Sequence, residues 1–155
     1  PDTFTALKSW VKAVGDKRTA ANSLSAVVSQ RLIRKLCDTC RLAYKPDPAL
    51  VKKMNLTPDK VGQLYKKSGQ VIVKDKPVQC PACHGMGFMG RTAVFEVMIL
   101  DDAARKLIRA GDYEKLRSYL RKNKMMWMQE AALAKAAAGI TGISEVTRAL
   151  AKEKK

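Results

Sequence analysis

The sequence is short of acid. Fourteen Asp and Glu face thirty Lys and Arg, which leaves a formal charge of +16 over 155 residues. Such an excess favours polyanions, whether nucleic acid, anionic lipid headgroups or an acidic partner, and charge alone does not choose among them. The basic residues are spread along the chain, with local pairs at Lys52 and Lys53, Lys66 and Lys67, and Arg121 and Lys122. That distribution fits solvated helix faces as readily as a binding strip. Long apolar runs are missing as well. No stretch approaches the roughly 18 to 20 residues of a membrane span, and the opening PDTFTALKSW lacks the charged-then-apolar layout of a signal peptide. The expected setting is the cytosol, and a chain that starts at Pro1 without Met is expected to be a piece of a longer protein. No G-x-x-x-x-G-K-[ST] occurs either, so nothing here is built to hold a β,γ-phosphate with magnesium. Internal repeats and low-complexity tracts are also lacking.

What is present suffices for a folded domain, or two small ones: 46% of the residues are hydrophobic. Asp2 or Thr3 can cap a helix in which Phe4, Leu7, Trp10, Val11 and Val14 recur every three or four positions, with Gly15 as its left-handed stop. After a polar turn at 16–19, AANSLSAVV reads as a short helix running into VVSQRLIRKL, where helix and strand both remain open. The stretch between Cys40 and Cys80 carries Pro46, Pro48 and Pro58 and few large apolar residues. It is expected to hold two short helices, at 49–54 and 58–66, and then a turn and a short strand in SGQVIVKDKPVQC. TAVFEVMIL reads as a strand, and Asp101 caps the next helix, 102–110. Helices at 112–122 and 128–138 follow, then one capped by Ser144. The class is α/β, mainly helical, with expected divisions at 1–36, 37–84 and 85–155.

CDTC and CPAC contain all four cysteines, as two C-x-x-C pairs with 39 residues between them. Disulfides are disfavoured in the cytosol, and neither pair opens an amphipathic helix as a thioredoxin-type dithiol would. The spacing therefore points to one structural zinc ion held by Cys37, Cys40, Cys80 and Cys83, since two intervening residues let a tight turn aim both sulfurs at one ion. His84 directly follows a ligand and is expected beside the site or in solvent. GMGFMG matches G-x-G-x-x-G in spacing only: it follows a cysteine knuckle and leads into a strand, so Gly85, Gly87 and Gly90 read as turn glycines. Arg91 reads as a strand anchor contacting a carbonyl or carboxylate, on the opposite face from Glu96, and Trp127 as core.

QRLIRKLCDTCR, followed by CPACHGMGFMGRTAVFEVMIL, resembles the tetracysteine region of the traffic ATPases of type II secretion and type IV pilus assembly. GITGISEVTRAL is similar to the closing helix of that family, with Gly142 and Ile143 as departures, and DTFTALKSWVKAVGD to the helix after its histidine box. The resemblance implies the end of a RecA-like lobe, a zinc module and a helical C-terminal subdomain. It also implies a hexameric parent that binds ATP and Mg2+, works at the cytoplasmic face of the inner membrane and engages platform proteins there, with anionic lipid as a further contact. No catalytic residue is expected in this chain, which should not hydrolyse ATP alone. Two other readings stand beside it. A basic nucleic-acid-binding zinc module is one, weakened by nine aromatics of which Phe4, Trp10 and Phe95 read as core; a dithiol oxidoreductase is the other.

Overall fold

The structure is a computed structural model that describes residues 2–54 and 63–151. Its elements, in chain order, are α1 (Thr3–Val14), α2 (Lys17–Asn22), β1 (Ala26–Leu36), β2 (Leu42–Tyr44), α3 (Pro48–Lys53), β3 (Leu64–Lys66), β4 (Gln70–Val73), β5 (Lys76–Gln79), β6 (Phe88–Ile99), α4 (Asp102–Ala110), α5 (Tyr113–Lys122), α6 (Met128–Ala137) and α7 (Ile143–Leu150). Among the described residues helices thus mix with three two-stranded sheets, β1 with β6, β2 with β3 and β4 with β5. The Leu100 amide donates to Ser25 at one end of the long pair, and the Cys37 amide to Gly87 at the other. β1 and β6 are therefore antiparallel.

The chain divides into two compact units that do not follow sequence order. The first comprises residues 1–30 and 95–128, the second 31–94 and 129–155. In the first, α1 starts where the Asp2 carboxylate accepts from the Thr5 amide at 2.7 Å and ends at Gly15 in the left-handed region. Its apolar stripe, Phe4, Leu7 and Val11, meets Ala20 and Ala21 of α2, Met98 and Leu100, Ala104 and Ile108 of α4, and Leu116 and Leu120 of α5 in one buried cluster. A buried carboxylate fixes the edge of this core: Glu96 accepts from the amide and hydroxyl of Thr3 and from the amide of Met128, at the first residues of α1 and α6. A negative charge there complements both helix N-termini. Trp127 packs against the same core 5.8 Å from Phe4, as expected.

In the second unit, Ile33, Leu36, Val94, Leu133, Ala136 and Val146 are buried. The Leu36 amide donates to Ile140, and the Thr141 hydroxyl to the Arg34 carbonyl. The Glu145 side chain is wholly buried and takes Arg34 on one side and Arg148 on the other, each pair closing at 2.6 Å.

Several expectations change. α2 begins at Lys17, within the supposed polar turn, because Asp16 accepts from Thr19 and caps it. VVSQRLIRKL is strand. The proposed helix 58–66 falls partly outside the described residues, and its end, Leu64–Lys66, is strand β3 against β2. The single strand near 70–79 is a hairpin, β4 against β5, turning at Lys74 and Asp75 with φ of 49° and 59°. α7 starts one residue before Ser144, with Gly142 at its cap and no side-chain cap bond. A Cβ at Gly142 would stand 3.3 Å from the Tyr65 carbonyl, so close backbone approach decides that position. Trp10 and Phe95, expected in the core, are 42% and 50% exposed. The reason for Phe95 is the strand period: Val94, Glu96 and Met98 turn inward, which places Phe95, Val97 and Ile99 outward.

Candidate metal centre

Two knuckles carry the four cysteines. The first follows β1, where the amides of Cys40 and Arg41 both donate to the Cys37 carbonyl. The second follows β5: the Met86 amide donates to the Cys83 carbonyl, and the Gly87 amide reaches the Cys83 sulfur at 3.2 Å. Amide donation of this kind stabilises a thiolate and orients it. His84, with φ 48°, and Gly85, with φ 79°, turn the chain out of this knuckle. Main chain joins the knuckles through Cys37 N–H to the Gly87 carbonyl at 3.1 Å, and ties the second one to the residue before β4 through Cys80 N–H to the Gly69 carbonyl at 2.9 Å. Gly69 is essential to this closeness, since a Cβ there would lie 2.2 Å from the Gly85 oxygen.

The result brings all four sequence-identified cysteines together. Their sulfurs lie within 4.8 Å of one another, and no cysteine is more than 3% exposed. Cys37 and Cys80 are 3.9 Å apart, Cys40 and Cys83 3.7 Å. A disulfide would need about 2.05 Å, whereas sulfurs about 2.3 Å from a tetrahedral zinc stand roughly 3.8 Å apart along each edge. The donor set and spacing therefore fit a four-thiolate metal ion.

The electrostatics agree. Burial alone raises the Cys37 thiol, but hydrogen bonds from the Thr39 and Cys40 amides and from the Cys40 and Cys83 thiols bring it down to about 7. Burial pushes Cys40 up to about 12; the Gly69 amide opposes this and the other three thiols add to it. The Cys37 thiolate forms readily while Cys40 resists ionising, the pattern of like charges crowded into one dry site. A divalent cation removes that conflict.

His84 is exposed and outside the cluster, as expected. Gly85 and Gly87 have positive φ in the turn that leads into β6 rather than a helix, whereas Gly90, also at positive φ and expected in a turn, lies within β6 itself. Arg91 does not anchor its strand: its side chain is exposed and finds no hydrogen-bond or ion-pair partner among the described residues, while Glu96 is buried on the other face. The arginine that does hold a strand is Arg34, which bonds Glu145 and lies 4.1 Å over the Phe88 ring. Sequence reading missed both Arg34 and Glu145. No helix among the described residues is long and apolar enough to cross a membrane.

Residues 5–148 match the family described as Type II/IV secretion system protein. The type IV pilus assembly ATPase PilB of Thermus thermophilus is 34% identical over 127 residues, covering 80% of this chain and 13% of that protein. The type II secretion system ATPase E of Vibrio cholerae is 30% identical over 128 residues, covering 83% of this chain and 24% of its own length. The type II secretion system protein E of Klebsiella pneumoniae is 32% identical, again covering 83% of this chain and 23% of that protein. The chain thus spans a quarter or less of these curated relatives. With the buried tetracysteine cluster and a match from residue 5 to residue 148, this chain belongs to the type II/IV secretion system protein family.

Proposed function

We propose that this chain is the C-terminal region of a hexameric secretion or pilus-assembly ATPase, and that Cys37, Cys40, Cys80 and Cys83 hold a structural zinc ion that stiffens it. The parts are the end of a RecA-like lobe (1–36), the zinc module (37–84) and a strand with helical subdomain (85–155). ATP and Mg2+ act elsewhere in the parent protein. This region carries displacement from the nucleotide cycle to platform proteins at the cytoplasmic face of the inner membrane, where its positive charge suits anionic headgroups.

One observation carries the reading: four buried thiols at tetrahedral spacing join both ends of the 41–79 excursion. When bound, zinc supplies a crosslink whose coordination sphere the four thiolates fill, which leaves no position for catalytic water. Crosslinking a long loop removes much of its freedom and lets the module move as a body. The test is elemental analysis of protein purified under reducing conditions without chelator, with one zinc per chain expected. Well under one equivalent of any divalent metal would overturn the zinc assignment. Transport by the full-length parent, with and without a Cys40→Ser change, then tests the coupling role; undiminished transport would remove it.

A further inference from the structure

Leu32, Arg34, Arg91 and Arg148 line a solvent-open cavity of about 310 Å³ within the second unit. Three guanidiniums face one hollow, and among the described residues no acid lines it. Their charges are only partly balanced. The carboxylate of Glu145 accepts from the Arg34 amide at 3.0 Å, from Arg34 Nε and Nη2 at 3.0 and 2.6 Å, and from Arg148 Nε and Nη2 at 2.8 and 2.6 Å. One acid thus serves two arginines, and Arg91 adds a third cation with no ion-pair partner among the described residues.

Orientation matters as much as charge. Glu145 has no exposed side-chain surface, so its carboxylate is a fixed post. It takes the Nε and Nη2 edges of both arginines, and among the described residues neither Nη1 group has a hydrogen-bond partner. Phe88, beneath the Arg34 guanidinium, restrains that plane further. Two guanidiniums are therefore held in place before any ligand arrives, and pre-set donors lose little freedom on binding. Arg91, on the neighbouring strand, can close over an anion with all five of its N–H groups. Guanidinium forks match the oxygens of phosphate, and a hollow with several of them suits a multiply charged oxyanion better than a single carboxylate.

We propose that this cavity is a phosphate-class anion site, with Arg34 and Arg148 as its fixed wall and Arg91 as its mobile clamp. The site is separate from the cysteine cluster and does not depend on the zinc assignment. Calorimetric titration of the 155-residue chain tests it, with inorganic pyrophosphate as one probe. Phosphatidylglycerol vesicles, compared with phosphatidylcholine vesicles, serve as the other. Arg91→Ala removes an exposed side chain that makes no hydrogen bond or ion pair among the described residues, so it leaves the fold intact; Lys122→Ala removes the same charge from an exposed position in the first unit. The expected result is binding that Arg91→Ala weakens about tenfold or more and Lys122→Ala leaves within twofold. Arg91-dependent binding of pyrophosphate identifies a free phosphate compound as ligand. Arg91-dependent binding of anionic vesicles alone identifies a lipid phosphate. Equal losses in the two variants, binding to neither probe, or capture of a glutamate-rich peptide with no response to phosphate would each overturn the proposal.

Discussion

The two ends of the long strand pair β1–β6 belong to regions built on different principles. In the first unit, four helices press Leu7, Ile108, Leu116 and Met98 into one apolar cluster. Between Cys37 and Gly87 of the second unit, the strands are three or four residues long, and Ile72, Val73 and Val78 of the hairpin are exposed. Ribbons that short do not stand alone. What is buried there, among the described residues, is the four sulfurs with Val51 and Leu64, and Val71 is the one apolar side chain packed on the sulfurs. A region with little to hide from water can still be fixed if its ends are tied.

Removing the tie is the largest test of this contrast. Chelation, or Cys40→Ser, is expected to abolish amide-exchange protection in β2–β5 while α1, α4 and α5 keep theirs, because structural zinc contributes on the order of 10 kcal/mol to folding. Protection that survives chelation at 37–87 would show that apolar packing suffices. The reverse experiment is Leu116→Ala, a fully buried side chain of the first unit. It should cost about 2 to 5 kcal/mol in denaturant unfolding of that unit, with zinc stoichiometry unchanged.

Acid offers a third comparison, within the second unit. Burial alone would raise Glu145, but the hydrogen bonds of Arg148 and then Arg34 hold it at about 2, below its ordinary 4.5. Its contribution is therefore complete above about pH 4.5 and disappears as the pH falls through 2. The size is roughly 3 kcal/mol at most, and Glu145→Gln should flatten that limb of the stability profile. The smallest effect is expected at Asp2→Ala, which removes the α1 cap and should cost about 1 kcal/mol in the first unit only.

Much of the first unit was legible because its signals are local. Asp2, Asp101 and Gly15 mark helix ends through contacts within a turn, and the structure shows each cap in place. The cysteine cluster was legible for another reason: few arrangements satisfy two C-x-x-C knuckles at once. Partnerships across long separations were not legible. Arg34 and Arg148 carry no sequence mark that sets them apart from the other basic residues, and the partner shared by both, Glu145, lies 111 positions beyond Arg34. The Lys74–Asp75 turn was missed because it lacks the glycine that usually announces such a hairpin. Phe95 was misplaced because an apolar strand does not declare which of its two faces is covered.

The 111-residue gap between Arg34 and Glu145 also sets a schedule. On a ribosome adding about 5 to 20 residues each second, Arg34 emerges some 5 to 20 seconds before its carboxylate exists. Both knuckles are synthesised in that interval, so thiol capture can precede the docking of α7. Helix α7 then serves as the latch that closes on knuckles already in reach of one another.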